Sequence, residues 1–285
     1  MIKKVAAIHD LSGFGRASLS TIIPILSTLG VQVCPLPTAI LSTHTGGFPH
    51  YSFLDLTDNM VEMIGHWKKL GLQFDCVYSG FLGSPRQIAV VADFIDHFGK
   101  DNLVVVDPVM GDDGRLYSSM TEEMTRRMRG LVQKANIITP NFTEAAFLLG
   151  KDVALRPGPA ELKDWLRALS DLGPETVVMT SAPTENERAT AVIAYDRRNE
   201  TFWRVGCPYV PASYPGTGDA FASVLIGGLL GGDSLPVALD RAVQFIYQCI
   251  KASYGSGYPR REGVLLEREL GLLKMPVLIS GYEMV

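Results

Sequence analysis

Residues 103–112 read Leu-Val-Val-Val-Asp-Pro-Val-Met-Gly-Asp, an unbroken apolar run followed by two aspartates. An apolar run of this length without polar alternation is typical of a strand that is covered on both faces, as in a parallel sheet. The stretch therefore predicts a central strand over Leu103–Asp107 with polar side chains at its carboxyl end.

Similar apolar runs recur along the chain and alternate with segments of helical periodicity, which predicts a doubly wound α/β fold. The other predicted strands are Val5–Ile8, Val31–Leu36, Cys76–Ser79, Ile137–Thr139, Thr176–Thr180, Ala191–Tyr195 and Phe202–Val205. The predicted helices are Ala17–Leu29, Asp55–Leu70, Pro85–Phe98, Thr121–Val132, Thr143–Leu149, Pro159–Leu172, Ala220–Leu230, Leu235–Ser253 and Leu265–Leu273. No linker of biased composition divides the chain, so residues 1–285 are expected to form a single domain, with an exposed hairpin turn around Thr184–Arg188.

Composition restricts the class of protein. The chain is 47% hydrophobic with a formal net charge of −4, and this lack of basic excess argues against nucleic acid as a partner. The first apolar run is too short for a signal peptide, and no stretch approaches the ~20 apolar residues of a membrane helix. The four cysteines form no closely spaced pair, so reduced thiols are expected. We expect a soluble cytoplasmic protein, without membrane association, that acts on a small molecule.

Polar residues collect where the predicted strands end. In an open α/β sheet, ligands bind outside the carboxyl ends of the strands, so these residues are expected to share one site. They are Asp10, Ser79-Gly80, Asp107-Pro108, Thr139-Pro140-Asn141 and Thr180-Ser181.

The run Gly216-Thr217-Gly218-Asp219 opens a predicted helix. Glycines allow tight turns that expose consecutive backbone N–H groups, and the N-terminus of a helix favours anions. Aspartate is also a common N-cap, so the run fits either a capped helix or an anion site with a carboxylate beside it. A dinucleotide-binding fingerprint is excluded, because it follows the first strand and needs a further glycine.

Two further pairs of residues allow two interpretations each. Asp107 and Asp112 fit a turn with an aspartate cap, or carboxylates that hold Mg²⁺ beside nucleotide phosphates. Asn141 and Glu144 are three residues apart, which fits a capping arrangement, or contacts with phosphate oxygens and with the water shell of a metal.

Taken together and in order, these motifs resemble the ribokinase superfamily. Within it the chain resembles the vitamin B6 branch, the pyridoxal, pyridoxine and pyridoxamine kinases, with the hydroxymethylpyrimidine kinases as close relatives. The resemblance spans roughly residues 4–255. The motifs that carry it are DPVMGD at 107–112, TPNFTE at 139–144, GTGD at 216–219, STHTG at 42–46, which is similar to SNHTG, YSGFLGS at 78–84, which is similar to SGYLGS, and VMTS at 178–181.

The resemblance implies a ribokinase-like three-layer α/β/α sandwich with a central, mainly parallel sheet and no separate lid domain. It implies transfer of the γ-phosphoryl group of ATP to the 5′-hydroxymethyl group of a vitamin B6 vitamer. It further implies Mg²⁺ as a cofactor and a homodimer, and it leaves the use of a monovalent cation open.

The resemblance also implies roles for individual residues. Asp219 is the expected catalytic base, with Gly216, Thr217 and Gly218 around the transferred group. Contacts with ATP are implied for Asp107, Asn141, Thr180, Ser181 and the glycine run. Positions linked to the metal are Asp112, Thr139 and Glu144. Residues on the side of the substrate ring are Ser12, His44, Thr45 and Phe81, with Asp10 as a competing ring contact.

Two departures from the family pattern leave the substrate open. The first loop, Ile8–Gly15, lacks the IQSHV of typical pyridoxal kinases and is more similar to the DxSGG of hydroxymethylpyrimidine kinases, so either Asp10 or Ser12 contacts the ring. Phe81 replaces a frequent tyrosine and can stack on a ring but cannot donate a hydrogen bond. The alternative functions are a hydroxymethylpyrimidine kinase of thiamine synthesis and a catalytically silent nucleotide-binding regulator; the intact Asp219 argues against the second.

The histidines outside these motifs show no metal-ligand spacing. His9, His50, His66 and His97 are therefore expected to be surface or capping residues.

Overall fold

The computed structural model describes residues 2–184, 189–276 and 281–285. Its strands are β1 (Lys4–Ser12), β2 (Gln32–Leu41), β3 (Phe53–Asp55), β4 (Cys76–Ser79), β5 (Leu103–Val106), β6 (Gly111–Asp112), β7 (Arg115–Leu116), β8 (Ile137–Ile138), β9 (Thr176–Ala182), β10 (Ala189–Asp196), β11 (Thr201–Pro208) and β12 (Tyr282–Met284). Its α-helices are α1 (Leu19–Thr28), α2 (Thr57–Lys69), α3 (Pro85–Phe98), α4 (Glu122–Val132), α5 (Phe142–Leu149), α6 (Pro159–Asp171), α7 (Thr217–Leu230), α8 (Leu235–Gly255) and α9 (Leu266–Glu269). Short 3₁₀ turns cover Arg260–Glu262 and Leu270–Lys274.

Within the described residues, ten strands form one sheet in the order β12-β11-β10-β9-β8-β5-β4-β1-β2-β3. The six strands from β9 to β2 in this order run parallel, whereas β3 and β10 to β12 pair antiparallel at the two edges. The prediction of a mainly parallel sheet is therefore confirmed. β6 and β7 form a small separate hairpin rather than a lid domain.

The sheet separates two apolar cores, because successive side chains of a strand point to opposite faces. In β1, Ala6 and Ile8 pack with residues of α2 to α6, whereas Val5 and Ala7 pack with residues of α1, α7 and α8. The apolar runs carry no polar alternation because both of their faces are covered by helices. The architecture is the predicted three-layer α/β/α sandwich.

The differences from the sequence prediction lie at the ends of elements and in short strands. β1 continues to Ser12 and β2 to Leu41, beyond the apolar runs that predict them. β3, β12 and the β6–β7 hairpin are too short to show a periodicity. The helix predicted at 265–273 is divided into α9 and a 3₁₀ turn, and the turn predicted around 184–188 lies outside the described residues apart from Thr184.

The strand order positions the site. The chain passes from β1 to β2 on one side, while β4 lies on the other side of β1, and such a reversal opens a crevice at the carboxyl ends of the strands. In β1 the pairing with β2 shifts register between His9 and Leu11, next to this crevice. Irregularities of this kind re-aim side chains beside functional sites, and here the side chain concerned is Asp10.

Two findings bear on the class of protein. No helix in the described part of the chain combines the length and the apolar character needed to cross a membrane. The four cysteines are free thiols, as predicted.

One buried amide joins three parts of the fold near the crevice. Gln87, in the first turn of α3, is fully buried and donates from Nε2 to the Thr38 carbonyl oxygen (2.9 Å) and to Thr57 Oγ1 (3.0 Å). Its Oε1 accepts a hydrogen bond from the Gly83 backbone N–H at 2.7 Å. The side chain therefore ties β2 and the start of α2 to the loop after β4.

We predict that Gln87→Leu lowers the free energy of unfolding by roughly 2–4 kcal/mol, because it leaves the partly buried Gly83 N–H without its acceptor and removes the buried hydrogen bonds to the Thr38 carbonyl and Thr57 Oγ1. Urea denaturation measures the change. Gln73→Leu, at an exposed position, serves as the control and should stay within about 0.5 kcal/mol of the wild type. Equal stabilities of the two variants would contradict the structural role of Gln87.

Candidate active site

A cavity of about 590 Å³ opens at the carboxyl edge of the parallel strands. It brings together most of the residues that the sequence analysis placed in a site; those that do not line it are Ser12, Ser79, Gly80, Pro108 and Pro140. Those that line it are Asp10, His44, Thr45, Phe81, Asp107, Asp112, Thr139, Asn141, Glu144, Thr180, Ser181, Gly216, Thr217, Gly218 and Asp219.

The glycine run forms the first turn of α7, as predicted. Gly216 is the N-cap, with a left-handed φ of 76°. A Cβ at this position would lie 2.2 Å from the Arg16 carbonyl oxygen, so the close approach of the two segments requires glycine. The first N–H groups of a helix have no intrahelical acceptor, and here they face the cavity.

Asp219 is the third residue of α7, and it does not cap the helix. Its Oδ2 instead accepts a hydrogen bond from the Ser18 backbone N–H at 2.8 Å, across the cavity floor. The capping alternative is therefore wrong for Asp219. Burial raises the pKa of Asp219 to about 7, and the neighbouring Asp10 contributes to the rise. The carboxylate is thus held by a donor from another segment in a largely dry position.

Asp10 occupies the ring-side end of the cavity, and Ser12 lies behind it. Ser18 Oγ donates to Asp10 Oδ1 at 2.5 Å, and Ser12 Oγ donates to Oδ2 at 3.3 Å. Burial raises the pKa of the Asp10 carboxyl, and these two hydrogen bonds oppose the rise. Of the two candidates for a ring contact, the structure therefore places Asp10 in the cavity and Ser12 among its supports.

His44 also lines the cavity, as do Thr45 and Phe81, and its ring is close enough to Asp10 for their charges to interact. Its Nδ1 accepts a hydrogen bond from the Gly46 N–H at 3.1 Å, so its proton is on Nε2, which donates to the Arg261 carbonyl oxygen at 2.6 Å. Burial lowers the pKa of His44, which keeps the ring neutral. Both nitrogens are engaged, so His44 shapes the cavity wall rather than offering a free donor.

A second group of acidic residues, Asp107, Asp112 and Glu144, lines the cavity in the loop after β5 and at the start of α5. Asn141 and Glu144 form a reciprocal capping box at the start of α5, as one of the two interpretations predicts. Glu144 also accepts a hydrogen bond from the Met110 N–H at 3.1 Å, and Asn141 Nδ2 donates to the Gly111 carbonyl oxygen at 2.8 Å. The two side chains therefore fix the loop that carries Asp112.

Buried carboxyl groups whose ionisation is unfavourable dominate the electrostatics of this part of the cavity. Burial raises the pKa of Glu144 to about 8. Burial, together with Glu144 and Asp219, raises the pKa of Asp107 well above its usual range. Six carboxylates line the cavity, and no Lys or Arg of the described segments lines it. No basic side chain of the described lining is therefore placed to compensate the charge of an anionic ligand, and a bound cation would do so.

Thr180 and Ser181 lie near the end of β9 and also line the cavity. The Thr180 N–H donates to the Pro140 carbonyl oxygen at 2.9 Å, which joins β9 to the loop before α5. Ser181 has a left-handed φ of 52°, a conformation that is uncommon for serine. Strained backbone of this kind is found at ligand-binding positions.

Sequence reasoning missed Ser18 and misplaced His9. Ser18 contacts Asp219 through its backbone N–H, and no side-chain pattern signals such a contact. The prediction of exposed or capping histidines holds for His50, His66 and His97 but is wrong for His9, which is completely buried beside Asp219. The position of His9 directly after the apolar run of β1 is the one sequence signal that indicates its burial.

The raised pKa of Asp219 predicts a pH-dependent stability for the protein without ligands. Between pH about 4 and 7 the folded state keeps a proton on Asp219 that the unfolded chain has lost, so the free energy of unfolding falls as the pH rises. We predict that Asp219→Asn is more stable than the wild type by a few kcal/mol at pH 8 and equal to it near pH 4. Thermal denaturation across this range measures the difference, with the exposed Asp93→Asn as control. A difference that does not change with pH would contradict the burial of an ionisable Asp219.

Comparison with known proteins places this cavity in a family. The family model for phosphomethylpyrimidine kinase matches residues 17–262. A crystal structure of a candidate phosphomethylpyrimidine kinase from Bacteroides thetaiotaomicron, in a form with pyridoxal, is 55% identical, covers 100% of both chains and superposes with a TM-score of 0.96. Pyridoxal kinase from Lactobacillus plantarum is 31% identical over 96% of this chain and 97% of its own, with a TM-score of 0.88.

The chain is also similar in sequence to curated pyridoxal kinases. Pyridoxal kinase PdxY from Rubrobacter xylanophilus is 28% identical over 282 residues, 96% of this chain and 94% of its own. The family resemblance from which the residue roles were inferred is thus confirmed. The chain belongs to the phosphomethylpyrimidine kinase family, and within it to the branch that includes the pyridoxal kinases.

Proposed function

We propose that the protein is an ATP-dependent kinase that phosphorylates the 5′-hydroxymethyl group of a vitamin B6 vitamer. The observation that carries this proposal is the position of Asp219, a largely buried carboxylate in the first turn of α7 that shares one cavity with Asp10 and Phe81 and with Asp107, Asp112 and Glu144. The 55% identical protein from Bacteroides thetaiotaomicron was crystallised with pyridoxal, which supports the vitamer as substrate.

The N-terminus of α7 suits the transferred phosphoryl group. Phosphoryl transfer depends on positioning and on neutralising the charge that spreads over the equatorial oxygens. The first N–H groups of the helix, from Thr217 to Asp219, and the helix dipole supply fixed positive potential for this purpose. We assign these groups to the γ-phosphate, with Asp107, Asn141, Thr180 and Ser181 along the rest of the nucleotide.

Asp219 is assigned as the base that accepts the proton of the hydroxymethyl group. As the oxygen of the substrate bonds to the γ-phosphorus, its O–H proton passes to the carboxylate and the bond to the bridging oxygen of ADP breaks. A pKa near 7 is well matched to this task, because the carboxylate is available at neutral pH yet basic enough to take a proton.

The ring-side end suits a flat heteroaromatic alcohol. Phe81 offers an apolar face for stacking, and Asp10 offers an acceptor for a ring N–H or an exocyclic donor. Thr45 adds a hydroxyl at the same end. A ring that is held here would direct a hydroxymethyl substituent toward Asp219, because Ser18 binds Asp10 and Asp219 at once.

The donor set of the acidic end fits Mg²⁺. Among the described residues no three acidic, His or Cys side chains are placed to enclose a metal on their own. Mg²⁺ commonly binds one or two carboxylates, substrate phosphates and several waters, which matches Asp112 with Glu144 and Thr139 nearby. When bound, the ion supplies the positive charge that six carboxylates require before a nucleotide can enter.

A hydroxymethylpyrimidine kinase is the second candidate function, and Asp10 favours it because a carboxylate suits an aminopyrimidine. Turnover on pyridoxal, pyridoxine, pyridoxamine and 4-amino-5-hydroxymethyl-2-methylpyrimidine decides between the two. We expect the highest kcat/KM for a B6 vitamer. A clear preference for the pyrimidine would refute the proposed substrate.

The proposal includes three further properties. The chain is proposed to act as one kinase domain in the cytoplasm and as a homodimer. Ile40, Phe53 and Leu54 are exposed on β2 and β3, and an apolar edge of this kind favours association.

We predict that Asp219→Asn lowers kcat by about 10²–10⁴-fold, since general-base catalysis contributes this much. Asparagine keeps an acceptor for the Ser18 N–H but cannot take the proton. A coupled assay measures turnover, and calorimetric titration should show ATP binding within a few-fold of the wild type. Unchanged turnover would exclude Asp219 as the base.

We also predict that chelation of divalent cations abolishes turnover and that added Mg²⁺ restores it. Asp112→Asn should raise the Mg²⁺ concentration for half-maximal rate about tenfold or more, which is the usual effect of losing a metal-linked carboxylate. Asp93→Asn is the control, because Asp93 is exposed on α3 and does not line the cavity. Equal Mg²⁺ dependence of the two variants would contradict the role of Asp112.

A further inference from the structure

His9 is completely buried on the face of β1 that packs against α7. Its ring packs edge to face against Tyr78, with 4.3 Å between ring centroids. A Cβ on Gly80 would lie 2.3 Å from His9 Cε1, so the neighbouring strand end leaves room for the imidazole only because it carries no side chain there. The ring therefore occupies a fitted slot below the cavity.

The slot leaves the polar atoms of His9 without partners. In the described part of the chain neither ring nitrogen makes a hydrogen bond, and the nearest carboxylate oxygen is Asp219 Oδ1, 3.7 Å from Nδ1. A buried N–H without an acceptor is costly, and a leucine would fill a similar volume without that cost. The position of the unpaired ring beside the proposed base calls for a functional explanation.

The surroundings of His9 point to one partner. The titratable groups that face it are Asp219 from α7 and Tyr78 from β4, with Asp10 next to it on β1. Asp10 is already bonded to Ser12 and Ser18, and Tyr78 contacts His9 through its ring, while its hydroxyl makes no hydrogen bond to His9 within the described residues. Burial keeps His9 neutral by lowering its pKa to about 3, so the ring carries one N–H.

We propose that His9 is a positioning residue for Asp219, an inference that rests on the proposed kinase function. Its Nδ1–H donates to Asp219 Oδ1 once the carboxylate is ionised, while the Ser18 N–H holds Oδ2. Two donors from different segments then fix the plane of the carboxylate, and a remaining lone pair faces the hydroxyl of the substrate. The proton of that hydroxyl passes to Asp219 during transfer, and His9 keeps its own proton throughout.

Two replacements separate positioning from packing. His9→Leu fills the slot without a donor, whereas His9→Asn places an amide N–H near the position of Nδ1. We expect His9→Leu to lower kcat about 10- to 100-fold, the value of a hydrogen bond to a charged group, with KM for ATP and vitamer within about threefold. His9→Asn should recover most of the lost rate, and the exposed His66→Leu should match the wild type. Equal kcat for His9→Leu and the wild type, or no recovery in His9→Asn, would overturn the proposal.

A spectroscopic measurement decides the same question without turnover. In protein labelled with ¹⁵N-histidine, the His9 ring should show a neutral Nδ1–H tautomer at neutral pH, and its Nδ1 resonance should shift in Asp219→Asn. An Nε2–H tautomer, or a resonance that does not respond to Asp219→Asn, would refute the contact. A wild-type protein that fails to phosphorylate any B6 vitamer would count against the proposed function alone, because the tautomer would still test His9.

Discussion

The close approach of the α7 N-terminus to the backbone of Arg16 and Ala17 is the constraint on which the site depends. It requires glycine at position 216, where any Cβ would meet the Arg16 carbonyl oxygen. The same approach brings the Ser18 N–H within 2.8 Å of Asp219 Oδ2, although the two residues are 201 positions apart in the chain. Ser18 in turn binds Asp10 through its hydroxyl, so one short loop sets the distance between the proposed ring contact and the proposed base. Because Ser18 itself has a φ of 53°, this loop is held in a conformation that the surrounding packing must enforce.

Negative charge is the second organising feature of the cavity. Asp107 and Glu144 are buried and Asp219 is largely buried, no Lys or Arg of the described segments lines the cavity beside them, and burial raises the pKa of each. An arrangement of this kind destabilises the empty protein at neutral pH, since these carboxyls favour the protonated form there. In the proposed function the nucleotide binds together with Mg²⁺, and the positive charge of the metal compensates both the carboxylates and the phosphates. The cost in stability and the proposed activity therefore have the same origin.

The sequence predicts the parts of this structure that repeat a simple pattern. Continuous apolar runs predict the parallel strands, and the ordered motifs predict the glycine run and most of the carboxylates that line the cavity, but not aromatic lining residues such as Tyr51, Tyr117 and Tyr214. The short edge strands β3 and β12 have no periodicity to detect. The contact of Ser18 with Asp219 is invisible because a backbone N–H, not a side chain, makes it. His9 was misplaced because polarity suggests exposure, whereas a slot opened by Gly80 lets the imidazole lie in the core. Contacts between residues far apart in the chain decide whether such a side chain is buried, and a pattern along the sequence does not encode those contacts.

The central claim is that Asp219 takes the proton of a hydroxymethyl group on a ring held beside Asp10. The most direct test is a crystal structure with pyridoxine and a non-hydrolysable ATP analogue. We predict an Asp219 carboxylate oxygen within about 2.6–3.2 Å of the 5′-hydroxyl oxygen, with the ring against Phe81 and Asp10 and the γ-phosphate at the N-terminus of α7. A vitamer whose hydroxymethyl group points away from Asp219, or a γ-phosphate bound elsewhere, would contradict the account.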